Sequence, residues 1–137
     1  MKRFAILLVA SLVSTPAFSG DAEKAIADKW YAALANVNRA DIAVLLSDKA
    51  KITLGDLDIE QTKSEFITSL DEWEDAMKGA NIRHVVETDA DGVLTMLVCY
   101  KFPENESLGR ESFKFEADKI IESNQETIAE TCDEFPR

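Results

Sequence analysis

From Asp21 to about Val37 the apolar residues Ile26, Trp30, Ala33, Leu34 and Val37 recur at three- and four-residue steps, with Lys24, Asp28 and Lys29 away from that stripe. The spacing predicts an amphipathic helix. Tyr31 lies about 100° round from Trp30, at the edge of the stripe, where a hydroxyl can meet water or a cavity. A second, shorter helix is expected after Asn38, an N-cap with Asp41 three residues on and Ile42, Leu45 and Leu46 as its buried face. Ser47 and Asp48 end it. Lys51-Ile52-Thr53-Leu54 alternates as a short strand, Gly55-Asp56 can turn, and Leu57-Asp58-Ile59 can return. Thr62-Lys63-Ser64-Glu65 is a capping box opening a third helix. In it Phe66, Leu70, Trp73 and Met77 form one stripe, and Gly79 is placed to close it.

Beyond Ala80 the period changes to that of strands. A strand over residues 82–88 is followed by Asp89-Ala90-Asp91-Gly92, whose Asp-Gly pair is a hairpin signal. Residues 93–102 form a β-prone run too continuous for a solvent-facing edge. Residues 103–109 read as a polar loop, and residues 110–116 alternate with Phe113 and Phe115 on one face. Ala117-Asp118-Lys119 then turns into a last strand from Ile120 to about Ile128. The order helix, helix, short hairpin, helix, four-stranded meander predicts an α+β fold, because segregated helices must cover one face of an antiparallel sheet. The simplest arrangement is a curved sheet wrapped round the first and third helices, leaving a cavity at the open end of the cone.

At the N-terminus, Lys2 and Arg3 precede an apolar stretch beginning at Phe4 and broken by Ser14, Thr15 and Pro16. Its core is too short for the roughly 20 residues that span a bilayer. Ala17-Phe18-Ser19 places small residues where a signal peptidase reads. A signal peptide over residues 1–19, cleaved before Gly20, is therefore expected, with a single domain over residues 20–137 that is periplasmic or secreted from a bacterium. No cysteine follows the apolar run, so no lipid anchor is indicated. Export changes how the cysteines read: Cys99 and Cys132 are the sole pair, and in an oxidising compartment such a pair forms a disulfide. A loop of this size would stabilise the fold by roughly 3–4 kcal/mol in the chain-entropy model. A catalytic thiol has only one histidine to work with, and two Cys with one His lack the clustered spacing of a metal site.

Composition narrows the partners. The 137 residues, 46% hydrophobic and 30% charged, suit one globular domain. Fifteen Lys+Arg against 26 Asp+Glu give a formal charge of -11, which makes nucleic acid and anionic membrane surfaces poor partners. No cofactor fingerprint is present.

Four segments carry a resemblance to a known family: Lys29-Trp30-Tyr31-Ala32-Ala33-Leu34, Ala43-Val44-Leu45-Leu46-Ser47-Asp48, Ala50-Lys51-Ile52-Thr53-Leu54, and residues 113–121 from Phe113 to Ile121. With the element order, they resemble the nuclear transport factor 2-like superfamily, which includes ketosteroid isomerases, scytalone dehydratase and SnoaL-type polyketide cyclases. The resemblance implies a cone-shaped α+β barrel, frequently a homodimer through the outer sheet face, with a pocket used for catalysis or for binding alone. It also implies where isomerase chemistry would sit. The general-base aspartate falls at or beside Leu54, and the oxyanion-donating tyrosine falls at Trp30, with Tyr31 one position on. Leucine cannot accept a proton, so ketosteroid isomerase activity is not expected. Asp56 is the nearest acidic replacement, in a turn where a carboxylate is easily solvated.

Candidate pocket residues follow from strand parity. His84, the sole imidazole, shares a face with Ile82 and Val86, whereas Arg83 and Glu87 share the other. Leu94, Met96, Val98, Tyr100 and Phe102 are assigned inward; Val93, Thr95, Leu97, Cys99 and Lys101 then face outward, and a dimer partner or the C-terminal tail must cover them. Trp30 and Trp73 belong to helix stripes that can also line a cavity. Two classes of function remain. One is a ligand-binding or interaction domain, without cofactor or metal, in which Trp30, Tyr31, Trp73, His84, Met96 and Tyr100 surround a small apolar or amphipathic molecule. The other is a cofactor-free lyase, isomerase or cyclase with His84, Tyr100, Tyr31 and Asp56 as candidate catalytic groups. Geometry discriminates them, since the enzyme requires His84 and Tyr100 to open into one cavity.

Overall fold

The computed structural model describes residues 20–137; the expected signal peptide lies outside the described residues. Helix α1, Asp21–Ala35, buries Ile26, Ala27, Trp30, Tyr31, Ala33 and Leu34. It stops two residues earlier than its apolar period suggests, because Val37 takes a left-handed φ of 51° and turns the chain away. Helix α2, Arg39–Leu45, is capped as its sequence indicates, the Asn38 side chain accepting from the Asp41 amide. Strand β1, Leu46–Leu54, begins directly after α2, five residues ahead of the expected start. Its register shifts between Leu46 and Lys51, which breaks the alternation that reveals a strand in sequence. A 3₁₀ turn over Gly55–Leu57 occupies the expected return, so β2 runs over Ile59–Thr62. Helix α3, Lys63–Ala76, starts at the Thr62 cap, whose hydroxyl accepts from the Glu65 amide. Gly79, at φ 75°, lies in the turn beyond it.

Strands β3 (Asn81–Ala90), β4 (Val93–Lys101), β5 (Glu106–Glu116) and β6 (Lys119–Ala129) complete a six-stranded curved sheet of order β2-β1-β6-β5-β4-β3. This is the α+β cone expected from the element order. Four of its strand pairs are antiparallel, and β1 runs parallel to β6. A tight turn dictates direction only between consecutive strands. Between β1 and β6 lie β2, α3 and three strands, so no turn constrains that pair.

The main core lies between the helices and the inner sheet face. Trp30 stacks on Phe66 with ring centroids 5.4 Å apart and meets the edge of Phe113 at 6.2 Å. Leu94, Met96 and Val98 are buried in it, confirming the inward face of β4. Part of the outer face has its own apolar cluster, where Cys99, Leu108, Cys132 and Phe135 pack with Val85, Leu97 and Ala129. The cover is the C-terminal tail, tied down by a Cys99–Cys132 disulfide, with the Arg83 guanidinium 4.8 Å above the Phe135 ring. No described helix is long and apolar enough to cross a membrane.

Candidate functional site

Under α3 the inner sheet face is not filled. A cavity of about 570 Å³ opens between that helix and the ends of β1, β4, β5 and β6. Phe66, Leu70 and Trp73 form its helical wall, and the strands contribute Leu54, Tyr100, Gly109 and Glu111. The amphipathic stripe of α3 thus serves both as core and as cavity wall. Trp73 is held in place by its indole N–H, which donates to the Leu34 carbonyl at 2.9 Å. Its ring stands edge-on to Tyr100 and Phe102, at 5.8 and 6.2 Å, and those two rings lie parallel, 5° apart.

The polar centre of the cavity is Glu111, which is 2% exposed. In the β4–β5 register it faces Met96, with Gly109 opposite Val98 and Phe113 opposite Leu94; strand parity therefore turns its carboxyl inward. The Tyr31 hydroxyl donates to Oε1 at 2.9 Å, and the Tyr100 hydroxyl donates to Oε2. Burial raises the Glu111 pKa from its ordinary 4.5 to about 7, while the two phenolic hydrogen bonds pull the other way. Both tyrosines are pushed well above their ordinary value, first by burial and then by the Glu111 charge. Near neutral pH this trio can hold or release one proton at a single buried carboxyl while both phenols stay protonated.

Tyr100 and Trp73 line the cavity as the sequence suggests. Tyr31 reaches its floor only through the hydroxyl on Glu111. Asp56 stands at the mouth, where its carboxylate accepts the Thr127 amide at 3.0 and 3.1 Å, so it binds the β6 backbone just beyond the last β1 pair, Leu54 with Gln125, besides meeting solvent. Leu54 lines the wall, placing an alkyl chain where the resemblance puts a general base.

His84 requires correction. It is on the inner side of β3, opposite the buried Val98, but under α1 and not under α3. Its ring stacks on Tyr31 at 4.5 Å, and Nε2 lies 2.8 Å from Asp28 Oδ1. Among the described residues His84 is therefore outside the lining of this cavity, to which Tyr100 belongs. Trp30 and Met96 likewise sit wholly in the core, 0% and 1% exposed, without lining the cavity, because α1 and α3 close over them.

Glu111 was not among the sequence candidates. Its signal was parity: it shares a face with Phe113 and Phe115, the two residues that mark the inward side of its strand. Elsewhere, Glu106 approaches Cys99 and Cys132. The two sulfurs are bonded to each other, and the carboxylate accepts the Cys132 amide at 2.8 Å, which leaves those groups engaged.

No family model matches the sequence, and no curated protein is found similar to it. Solved structures do match. A candidate polyketide cyclase from Streptomyces antibioticus, IdmH, superposes with a TM-score of 0.67 at 8% identity, over 79% of this chain and 92% of that one. A candidate SnoaL-like polyketide cyclase from Shewanella denitrificans OS-217 gives 0.65 at 12% identity, over 84% and 96%. A protein with a ketosteroid isomerase-like fold from Catenulispora acidiphila DSM 44928, in complex with trimethylamine, gives 0.60 at 11% identity, over 74% and 83%. At such identities the likeness speaks for architecture, and with the cone-shaped sheet it establishes that the chain has the nuclear transport factor 2-like fold.

Proposed function

We propose that this chain is an exported binding domain whose cavity takes one small amphipathic molecule. The observation that carries the reading is the cavity itself: apolar and aromatic walls surround a single buried carboxyl with two phenols, the usual composition of a small-molecule site. The Catenulispora acidiphila protein, complexed with trimethylamine, supports a small ligand in kind. Export is supported by the pattern of residues 1–19 and by the disulfide, which suits an oxidising compartment. Self-association through the outer sheet face, which the resemblance implies, would have to form beside the tail that covers Cys99.

Native mass spectrometry of protein expressed with its leader and purified gently from the envelope tests the reading. The expected species begins at Gly20, weighs two hydrogens less than the reduced chain and retains a small molecule. An unprocessed chain would overturn export. A cavity that retains nothing, and is not stabilised by any of a series of amphipathic compounds, would overturn ligand binding.

A second reading is favoured by one observation, the burial of the Glu111 carboxyl between the Tyr31 and Tyr100 hydroxyls, which raises it to about 7. A carboxyl poised near neutrality beside two hydroxyl donors is equipped for general acid-base catalysis, so a cofactor-free lyase, isomerase or cyclase would use Glu111 and Tyr100 in place of His84. In such an enzyme Glu111→Gln abolishes turnover, whereas His84→Ala leaves it; the opposite result would restore the imidazole.

A further inference from the structure

The cavity has a second chemical property, its sign. The charged side chains among its described lining residues are Asp56, Glu72, Glu111 and Glu126, all acidic. Glu111 is the buried one, and its side-chain partners are two neutral hydroxyls; no described Lys, Arg or His pairs with it, although such pairs hold Glu87, Glu122 and Asp48 elsewhere on the surface. Each carboxylate oxygen retains acceptor capacity beyond the one phenol it binds. Four aromatic rings, those of Phe66, Trp73, Tyr100 and Phe102, line the same space.

We propose that the cavity selects an organic cation, an amine or quaternary ammonium group on an apolar body, with the charged end directed toward Glu111. The proposal rests on the ligand-binding reading and gives it a ligand class. A buried carboxylate without a counter-charge is costly, and a weakly hydrated organic cation that enters beside it offsets part of that cost at a smaller desolvation penalty of its own than a compact ammonium ion would carry. Aromatic faces attract the same group through their quadrupoles. An anion meets Asp56 and Glu72 at the mouth, with Glu126 beside them partly offset by Arg110 at 3.8 Å, and a neutral amphiphile leaves an ionised Glu111 without a counter-ion. The net charge of -11 draws cations toward the mouth. Binding also stabilises the ionised form of Glu111, so affinity increases as the pH rises through 7. The groups facing Glu111 are Tyr31 from α1 and Tyr100 from β4, both protonated throughout that range; Asp56, Glu72 and Glu126 stand in the same cavity.

The test uses the oxidised, processed protein and three probes of similar shape: benzyltrimethylammonium, neutral neopentylbenzene and anionic benzylsulfonate. Calorimetric titration at about pH 8 and about pH 6 reads the affinities. The ammonium probe carries a fixed charge, so a pH effect reports on the protein. Expected is an ammonium affinity at least about tenfold above either of the others at the higher pH, decreasing several-fold at the lower one, with both differences lost in Glu111→Gln. Equal or tighter binding of the neutral or anionic probe overturns cation selection while leaving a binding pocket in place. Failure of all three to bind also overturns it, and the mass spectrum of the envelope-purified protein then decides separately whether the pocket holds anything. If Glu111→Gln does not fold, the charge preference and pH dependence of the unaltered protein are decisive by themselves.

Discussion

Replacing Glu111 by Gln removes a proton-binding group whose affinity for the proton differs between the folded and unfolded chain, and that difference sets a measurable slope of stability against pH. In the folded protein burial raises the carboxyl to about 7, against an ordinary 4.5. Between those two values the folded state therefore binds more protons than the unfolded state, and stability decreases as pH increases. The contribution of the protonated carboxyl is intact below about pH 4.5 and is lost as pH rises through the folded value near 7. At about 1.4 kcal/mol for each factor of ten, the total is about 3 kcal/mol. Urea unfolding of both proteins at about pH 4.5, 6 and 8 measures it as a difference of differences. Other carboxylates act in the opposite direction: Arg110 holds Glu87 below its ordinary range, and Lys63 does the same for Asp48, so both weaken the fold in acid. They are common to the two proteins and cancel. The expected result is that the unaltered protein, compared with Glu111→Gln, loses about 3 kcal/mol between the acid and alkaline ends. A difference constant to within about 0.5 kcal/mol across that range would refute the reasoning, since the carboxyl would then be hydrated in the fold as it is outside it.

Tyr100→Phe leaves one buried Glu111 oxygen without its donor; the expected cost is about 1–3 kcal/mol, with the pH-dependent loss displaced to higher pH because a bond that favours the carboxylate is gone. Urea unfolding across pH checks both. Removing the disulfide as Cys99→Ser with Cys132→Ser should destabilise the protein by about 4 kcal/mol for a separation of 33 residues, measured by the same unfolding curves; a thiol assay on denatured, unreduced protein should find none. His84→Ala loses the ring stacked on Tyr31 as well as the partly exposed Asp28 contact, so a cost of about 1–2 kcal/mol is expected, with ligand affinity in the cavity unchanged. An affinity loss matching that of Glu111→Gln would return the histidine to the site.

Local chemistry that repeats along the chain was readable without coordinates. The stripe of Phe66, Leu70 and Trp73, the Thr62 and Asn38 caps, and the inward parity of Leu94, Met96, Val98 and Tyr100 each depend on neighbours a few residues apart, and the structure reproduces them. The pairing of Cys99 with Cys132 was legible as well, because only two cysteines are present. Strand β1 was partly hidden, since an irregularity between Leu46 and Lys51 disrupts its alternation. Tertiary structure alone decided which inward residues meet empty space and which meet a helix. His84 and Tyr100 are both on the inner face, yet α1 lies over one while the cavity under α3 receives the other. The same packing brings Tyr31 within hydrogen-bonding distance of Glu111, 80 positions away in sequence. Facing direction is set by the backbone period, but depth, proximity and the resulting proton affinity depend on how separate elements are layered, and no local pattern encodes that.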